Sequence, residues 1–547
     1  MKKSRFKKIL SLVIVATLST TFFVGCSDSK KESKGDGQVL TYNLGADSKT
    51  LDPALNSSVD GGIVLSNAFE GLCRTDKNDK AIKGGAESWT ISDDQLTYTF
   101  KLRKDAKWSN GDPVTAHDYE YAWKRVLNPD TAAEYAYQMY YIKGAEAYNT
   151  GSGSADEVGV KAVDDYTLEV QLESPTSYFL ELTAFPCYFP VDKKVVEADS
   201  NWATKVDTYV SNGPFELKEW KLKDSLVFEK NKNYYDTDKV KLDKLVMKMV
   251  TDSTSASATY KAGDFDMIDV VPTSEVEAGL ANGSYTKFHN IGTYYLSINV
   301  TGENESDEVK KALQNDKVRK ALNLAIDRDS IVKNVTKGGE IPAYSFVPEG
   351  ISGAVGKDFT KKKYYKTSGD VEEAKKLLAE AGYKDGEGFP TITLLYNQEG
   401  AHGDIMQAVA DMWKKNLGIN VSLSQQEWKV FQTTRTDKNY NIARDGWLGD
   451  YIDPMTFLDL YTSTSSLNNS GFSSSEYDKL IADAKSETDA TKRDELLHQA
   501  EDMLMEDMPI IPLYYYTQIK GVKSYVKDVR VSPLGFVYFD RAYIDGK

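Results

Sequence analysis

Apolar and polar residues alternate over 96–102 (LTYTFKL) and again over 167–172, which is the period of a half-buried strand. Elsewhere the period lengthens. Val318, Ala321, Leu322, Ala325 and Ile326 recur at helical spacing, as do Ile405, Ala408, Val409, Met412, Trp413 and Leu417. The second of these helices lies between two strand-like segments, 391–396 (TITLLY) and 419–423 (INVSL). A helix joining two strands implies a right-handed crossover and parallel pairing. A further strand is expected over 440–447, after a stretch of helical character over 428–434. Ligands of open α/β sheets collect beyond the carboxyl ends of the strands. Here that edge carries residues 397–403 and 446–454, the first place to look for a site.

The amino terminus has a different pattern. Lys2, Lys3, Arg5, Lys7 and Lys8 precede an apolar run over 9–24 that ends at Val24-Gly25-Cys26, the order of a secretory signal. The cysteine at the cleavage point resembles the lipobox of bacterial lipoproteins, with Phe23 where that box more often has Leu. The resemblance implies a signal peptide over 1–25 and a diacylglycerol on the Cys26 sulfur, two chains being enough for stable anchoring. Residues 26–38 (CSDSKKESKGDGQ) are too polar to bury a core and read as a tether. No second apolar run approaches spanning length. The expected location is therefore the extracytoplasmic face of the membrane. The remaining chain exceeds one hydrophobic core, so two or three domains are expected.

Charge and chemistry narrow the class by exclusion. The net charge of −15 is spread along the chain, which argues against a nucleic-acid partner. Cys73 and Cys187 remain beside Cys26, and the sequence leaves open whether they pair or stand free. His117, His289, His402 and His498 are scattered and form no HExxH pair. There is no GxSxG elbow and no Walker A loop, and Asp76-Lys77-Asn78-Asp79 reads as a turn because it lacks the Gly and Glu of a calcium loop. No metal, no cofactor and no catalysis are expected.

An ordered series of segments resembles the oligopeptide-binding proteins of bacterial ABC importers, family 5 of the extracytoplasmic solute receptors. It comprises Leu51-Asp52-Pro53, Phe69-Glu70-Gly71-Leu72, 86–108, 109–125, Asn212-Gly213-Pro214-Phe215, 318–328 (VRKALNLAIDR), 373–383, Gln426-Glu427-Trp428-Lys429 and 445–454 (DGWLGDYIDP). The resemblance implies an α/β fold, a two-lobed hinged clamp like the periplasmic binding proteins, with an additional domain. Lobe I would combine 39–70, 195–291 and 518–547; the additional domain would be 71–194 and lobe II 292–517. The parallel unit falls in the second lobe.

The same resemblance implies capture of short peptides and delivery to a membrane permease by a monomer. Asp450 aligns with the family carboxylate that pairs with the peptide α-ammonium, and Arg444 and His402 with residues that meet the peptide carboxylate. Gly446 and Leu448, and Ser58 and Val59 opposite, align with positions offering backbone groups; Trp428 and Trp447 align with side-chain pockets, whereas Trp413 is expected in the core. Relatives with a disulfide carry cysteines where this chain has Gly292 and Leu448. A lysine used by some relatives for the shortest ligands has no clear counterpart, Lys333 and Lys337 both lying near its place. Rival readings are a receptor for one signalling or modified peptide, a surface peptidase, and an adhesin or chaperone.

Overall fold

A computed structural model describes residues 37–547 apart from 46–47, 49, 304, 354–357, 361, 399–400 and 466. The signal sequence, Cys26 and most of the tether lie outside the described residues, and no described helix is long and apolar enough to cross a membrane. Residues 38–547 form one compact unit built on a mixed sheet of eleven strands. Two long antiparallel strands, Tyr285–Ile298 and Ile510–Val522, run through its middle. On one side follow Met267–Ile268, Val39–Asn43, Lys244–Lys248, Ser225–Lys230 and Phe215–Lys221; on the other, Ile442–Leu448, Ile392–Asn397 and Val421–Gln426. A separate antiparallel sheet of four strands holds Thr97–Leu102 and Thr167–Gln171, the two segments whose alternation predicted strands.

The two central strands do not pair evenly along their length. Tyr285 to His289 face Gly521 to Thr517, and pairing resumes at Thr293 opposite Tyr515, with an irregularity between. Ile291 sits in that gap: its N–H donates to Pro533 O (2.8 Å) and its carbonyl accepts from Gly449 N (2.7 Å). One residue thus ties the carboxyl-terminal segment to the turn after Ile442–Leu448. A register break of this kind locally bends and twists a ladder.

The parallel unit forms as the pattern predicts. Ile392 pairs with Val421 and Leu394 with Ile442, all three strands running the same way. The connecting helix spans His402–Leu417 and lays Ile405, Val409, Trp413 and Leu417 into a core shared with Val318, Leu322 and Leu378. Trp413 is fully buried and donates Nε1–H to Leu322 O (2.8 Å), a core residue as expected. The helix stops at Gly418, whose φ of +74° and close approach to Asp385 O leave no room for a Cβ.

Candidate functional site

Because these strands are parallel, their carboxyl ends lie along one edge, and the side chains that follow them converge there. Arg444, on Ile442–Leu448, donates Nε–H to Asn397 Oδ1 (2.6 Å) at the end of the neighbouring strand. Its guanidinium lies 5.4 Å from the Trp428 ring and 5.3 Å from that of Phe431, both on the helix Trp428–Thr436. Arg444 is 9% exposed, and among the described residues no carboxylate forms an ion pair with it. His402 is the first residue of its helix, His402–Leu417. Its Nδ1 lies 3.0 Å from Tyr294 Oη, and its ring stacks on Tyr294, which stacks in turn on Tyr514 (4.7 Å). Burial pushes Tyr294 and Tyr516 up, and the nearby Arg444 charge opposes both shifts. The structure therefore gathers Arg444, His402 and Trp428 at one end.

Asp450 defines the other end, two residues past the strand. Its N–H donates to Thr456 Oγ1 (3.1 Å), which fixes the turn. Its carboxylate accepts hydrogen bonds from Tyr137 Oη (3.2 Å) and Tyr135 Oη (3.5 Å), on and beside the short 3₁₀ turn Ala136–Met139. Among the described residues no cation forms an ion pair with it. Burial raises its pKa to about 7, against the hydrogen bonds from Tyr137 and Tyr135 and the opposing influence of the nearby Gln138 amide. Asp450 and Trp447 line a cavity of about 480 Å³ together with Tyr137, Gln138, Tyr141 and Met455. Trp447 is half-buried against the core, and its Nε1 is 3.5 Å from Thr456 Oγ1.

Between the two ends the strand edge is open. Ile442–Leu448 pairs along its whole length with Gly292 to Ile298 on one side, but on the other only Ile442 and Ala443 meet a neighbour. Gly449 N–H and Asn441 O bond toward the central strand. Antiparallel alternation then turns the backbone groups of Arg444, Gly446 and Leu448 toward the open side. Gly446 N–H is held by Asp445 Oδ1 (2.8 Å), and a Cβ at Gly446 would lie 2.5 Å from Tyr516 Oη. Leu448 is 42% exposed and stands directly opposite Gly292, the two positions where some relatives have cysteines.

Ser58 and Val59 are not joined by hydrogen bonds to these residues among the described ones. Ser58 caps its own helix, Val59–Ala68, accepting from Gly61 N (3.3 Å), and Val59 is exposed beside Gly535. Tyr135, Tyr137 and Gln138 were not singled out in the sequence, although the tyrosine density of 135–141 (YAYQMYY) is a visible signal. Cys73 and Cys187 are both free and buried, burial pushing the Cys73 thiol up to about 12 and that of Cys187 higher still. Asp76 accepts from Asn78 N and Lys80 N in the expected turn, and no metal-binding cluster occurs among the described residues.

Two sheet halves joined through a pair of central strands, with a site at the strand ends, define an α/β clamp of the periplasmic-binding-protein type. The chain belongs to the bacterial extracellular solute-binding proteins, family 5, whose family model matches residues 80–469. It is 42% identical to the oligopeptide-binding protein OppA of Bacillus subtilis (strain 168), covering 99% of this chain and 100% of that protein. The substrate-binding domain of an oligopeptide ABC transporter from Bacillus anthracis str. Ames has a similar structure, with a TM-score of 0.78, 37% identity and coverage of 93% of this chain and 99% of that one. So has Listeria monocytogenes OppA bound to peptide, with a TM-score of 0.77, 34% identity and coverage of 93% and 99%.

Proposed function

We propose that this protein captures short peptides outside the cytoplasm and delivers them to an ABC importer, without hydrolysing them. The observation that carries the reading is an open strand edge bracketed by a buried arginine and a half-buried aspartate, neither ion-paired among the described residues. A buried charge without a partner is costly, and a peptide has the two complementary termini. Its backbone would add to the edge at Arg444, Gly446 and Leu448 as an extra strand, so affinity depends little on sequence. Its α-ammonium would meet Asp450, and its carboxylate Arg444 and His402. The six residue-to-residue steps from Arg444 to Asp450 span at most ~20 Å, the scale of a short peptide. Trp428 and Trp447 would line side-chain subsites, with Ser58 and Val59 offering backbone groups from the opposite lobe. OppA of Bacillus subtilis is by name an oligopeptide-binding protein, and the Listeria monocytogenes OppA structure has peptide bound.

The lobe boundaries proposed from the sequence, 291/292 and 517/518, fall within the two central strands, next to the register break. We place the hinge there. Cys26 would carry the lipid that holds a monomer at the membrane beside its permease, and Cys26→Ser would release it into the medium without unfolding it.

The test is calorimetric titration of a tripeptide and its N-acetylated form into wild type and Asp450→Ala. Free peptide should bind wild type, and either change should weaken it by about 10²–10³, since losing one member of a buried pair costs about 3–5 kcal/mol. The two losses should not add fully. Equal binding of free and acetylated peptide by wild type would refute the Asp450 assignment. A peptide cleaved during incubation would refute the transport reading.

A further inference from the structure

Gln138 lies in the wall of the cavity that Asp450 also lines, and it is 2% exposed. Its backbone is fixed on both sides: its N–H donates to Tyr135 O (3.1 Å) and its carbonyl accepts from Tyr188 Oη (2.6 Å). Its side-chain Nε2 is shut away from solvent and makes no hydrogen bond within the protein. The amide lies near enough to Asp450 to favour the ionised carboxylate, but not in the geometry of a hydrogen bond. An unmade buried hydrogen bond is expensive, and each one in a native fold needs a reason. Other buried polar atoms lack partners in this protein, among them Tyr42 Oη, Trp202 Nε1 and Trp220 Nε1. Gln138 stands apart from these because it shares its cavity with the proposed ammonium site.

That placement restricts the missing partner. An amide N–H₂ donates, so it calls for an acceptor; a carboxylate beside it calls for a donor or a cation. A peptide amino terminus presents both on one Cα, an ammonium and the first carbonyl oxygen, separated by about 3 Å of standard backbone. The Tyr135 and Tyr137 hydroxyls approach the same carboxylate from the same short turn, so all three side chains are delivered by one element. Building on the peptide-binding reading above, we infer that Gln138 Nε2 donates to the carbonyl of the first peptide residue, so that the site reads an α-amino acyl group rather than a bare amine. A ligand with an ammonium but no neighbouring carbonyl would leave the buried donor unsatisfied, the situation in which polar sites discriminate most strongly.

The experiment varies the ligand and the protein in one cycle. Tri-alanine and an analogue whose first peptide bond is a trans-alkene are titrated calorimetrically into wild type, Gln138→Leu and Gln138→Met. Wild type should bind tri-alanine about tenfold more tightly than the alkene, as one net hydrogen bond to a neutral partner implies. The variants should lose about tenfold toward tri-alanine and less than twofold toward the alkene. If neither variant folds, Gln138→Asn, whose shorter side chain withdraws the amide from the ligand, takes their place in the same cycle. Equal affinity of wild type for both ligands, or equal losses toward both in the variants, overturns the inference. The second outcome would mean that Gln138 acts only through the charge of Asp450. If wild type binds neither these ligands nor any free tripeptide, the peptide-binding reading itself fails and takes this inference with it.

Discussion

Asp450, half-buried, and Glu501, buried, are two carboxyls whose pKa values burial raises to about 7, and they differ in what surrounds them. Glu501, on the helix Ala490–Asp507, is 2% exposed and accepts Val347 N–H at 2.9 Å. The Phe346 N–H and the Tyr364 hydroxyl also favour its ionised form. It pins the segment carrying Tyr344 to Val347, where Ser345 and Tyr515 share further hydrogen bonds. Asp450 instead meets two hydroxyls at 3.2 and 3.5 Å, beside a cavity and an amide whose Nε2 has no hydrogen-bond partner. A carboxylate whose acceptor sites are filled by fixed backbone donors serves the fold. One held loosely, beside empty space, keeps its capacity for a ligand.

The largest effects should separate the two. Removing Glu501 strands at least two buried backbone N–H groups, each costing about 1–3 kcal/mol. Glu501→Ala should therefore lower unfolding free energy by about 3–5 kcal/mol, while the folded fraction binds tripeptide with less than twofold change. Asp450→Ala should do the reverse, losing about 10²–10³ in affinity with no loss of denaturant resistance. The comparison breaks if chemical unfolding and calorimetry find both properties damaged alike in both variants.

Acidity sharpens it further. For both groups the folded pKa lies above the unfolded value, 3.8 for Asp450 and 4.5 for Glu501. Stability from each is then complete below the unfolded value and is lost as pH rises toward about 7. The ligand-free protein should melt at a lower temperature at pH 8 than at pH 5, and Asp450→Asn should raise the pH 8 value by about 1–3 °C. A peptide ammonium favours ionised Asp450, so binding at pH 6 should release roughly 0.9 of a proton. Titration in two buffers of different ionisation enthalpy measures this number, and Asp450→Asn should bring it close to zero. Affinity should fall below pH 7 as Asp450 protonates and again above about pH 8 as the peptide amine loses its charge.

How much of this was legible in the sequence depends on distance along the chain. The parallel unit was plain because its signals are local: short alternating or apolar runs around a helix of period 3.6. Boundaries were less so. Ala325 and Ile326 keep helical spacing, yet the helix ends at Leu324, whose carbonyl is taken by Asp370 N–H from another segment (2.8 Å). The sheet edge pointed to 397–403 and 446–454, which hold His402 and Asp450, but the roles of these two and of Arg444 came from resemblance, since an aspartate in a turn has no local mark of function. The hydroxyls on Asp450 come from residues more than three hundred positions away, beyond any periodicity. The need for glycine at 446 is tertiary too, set by the Tyr516 hydroxyl across the sheet.

The smallest expected effect tests the far end of the site. Arg444 is held by Asn397 and lies against two aromatic rings, so its charge stays placed without a ligand. Asp450 sits at one end of the open edge and Arg444 at the other, so only a peptide long enough to cross it brings a carboxylate to the guanidinium. A charged hydrogen bond is worth about 1.5–3 kcal/mol, and water entering from the exposed Trp428 side should recover part of that. Arg444→Ala should then cost about tenfold for peptides that reach it and less than twofold for dipeptides. Arg444→Lys should recover little, because Lys lacks the planar fork. His402→Ala should cost about threefold over the same lengths, since His402 is already engaged with Tyr294. A titration series of alanine peptides of two to six residues reads all of this from one plot of affinity against length. A loss that is the same at every length would mean that Arg444 supports the strand and not the peptide carboxylate, leaving Asp450 as the one charged end of the site.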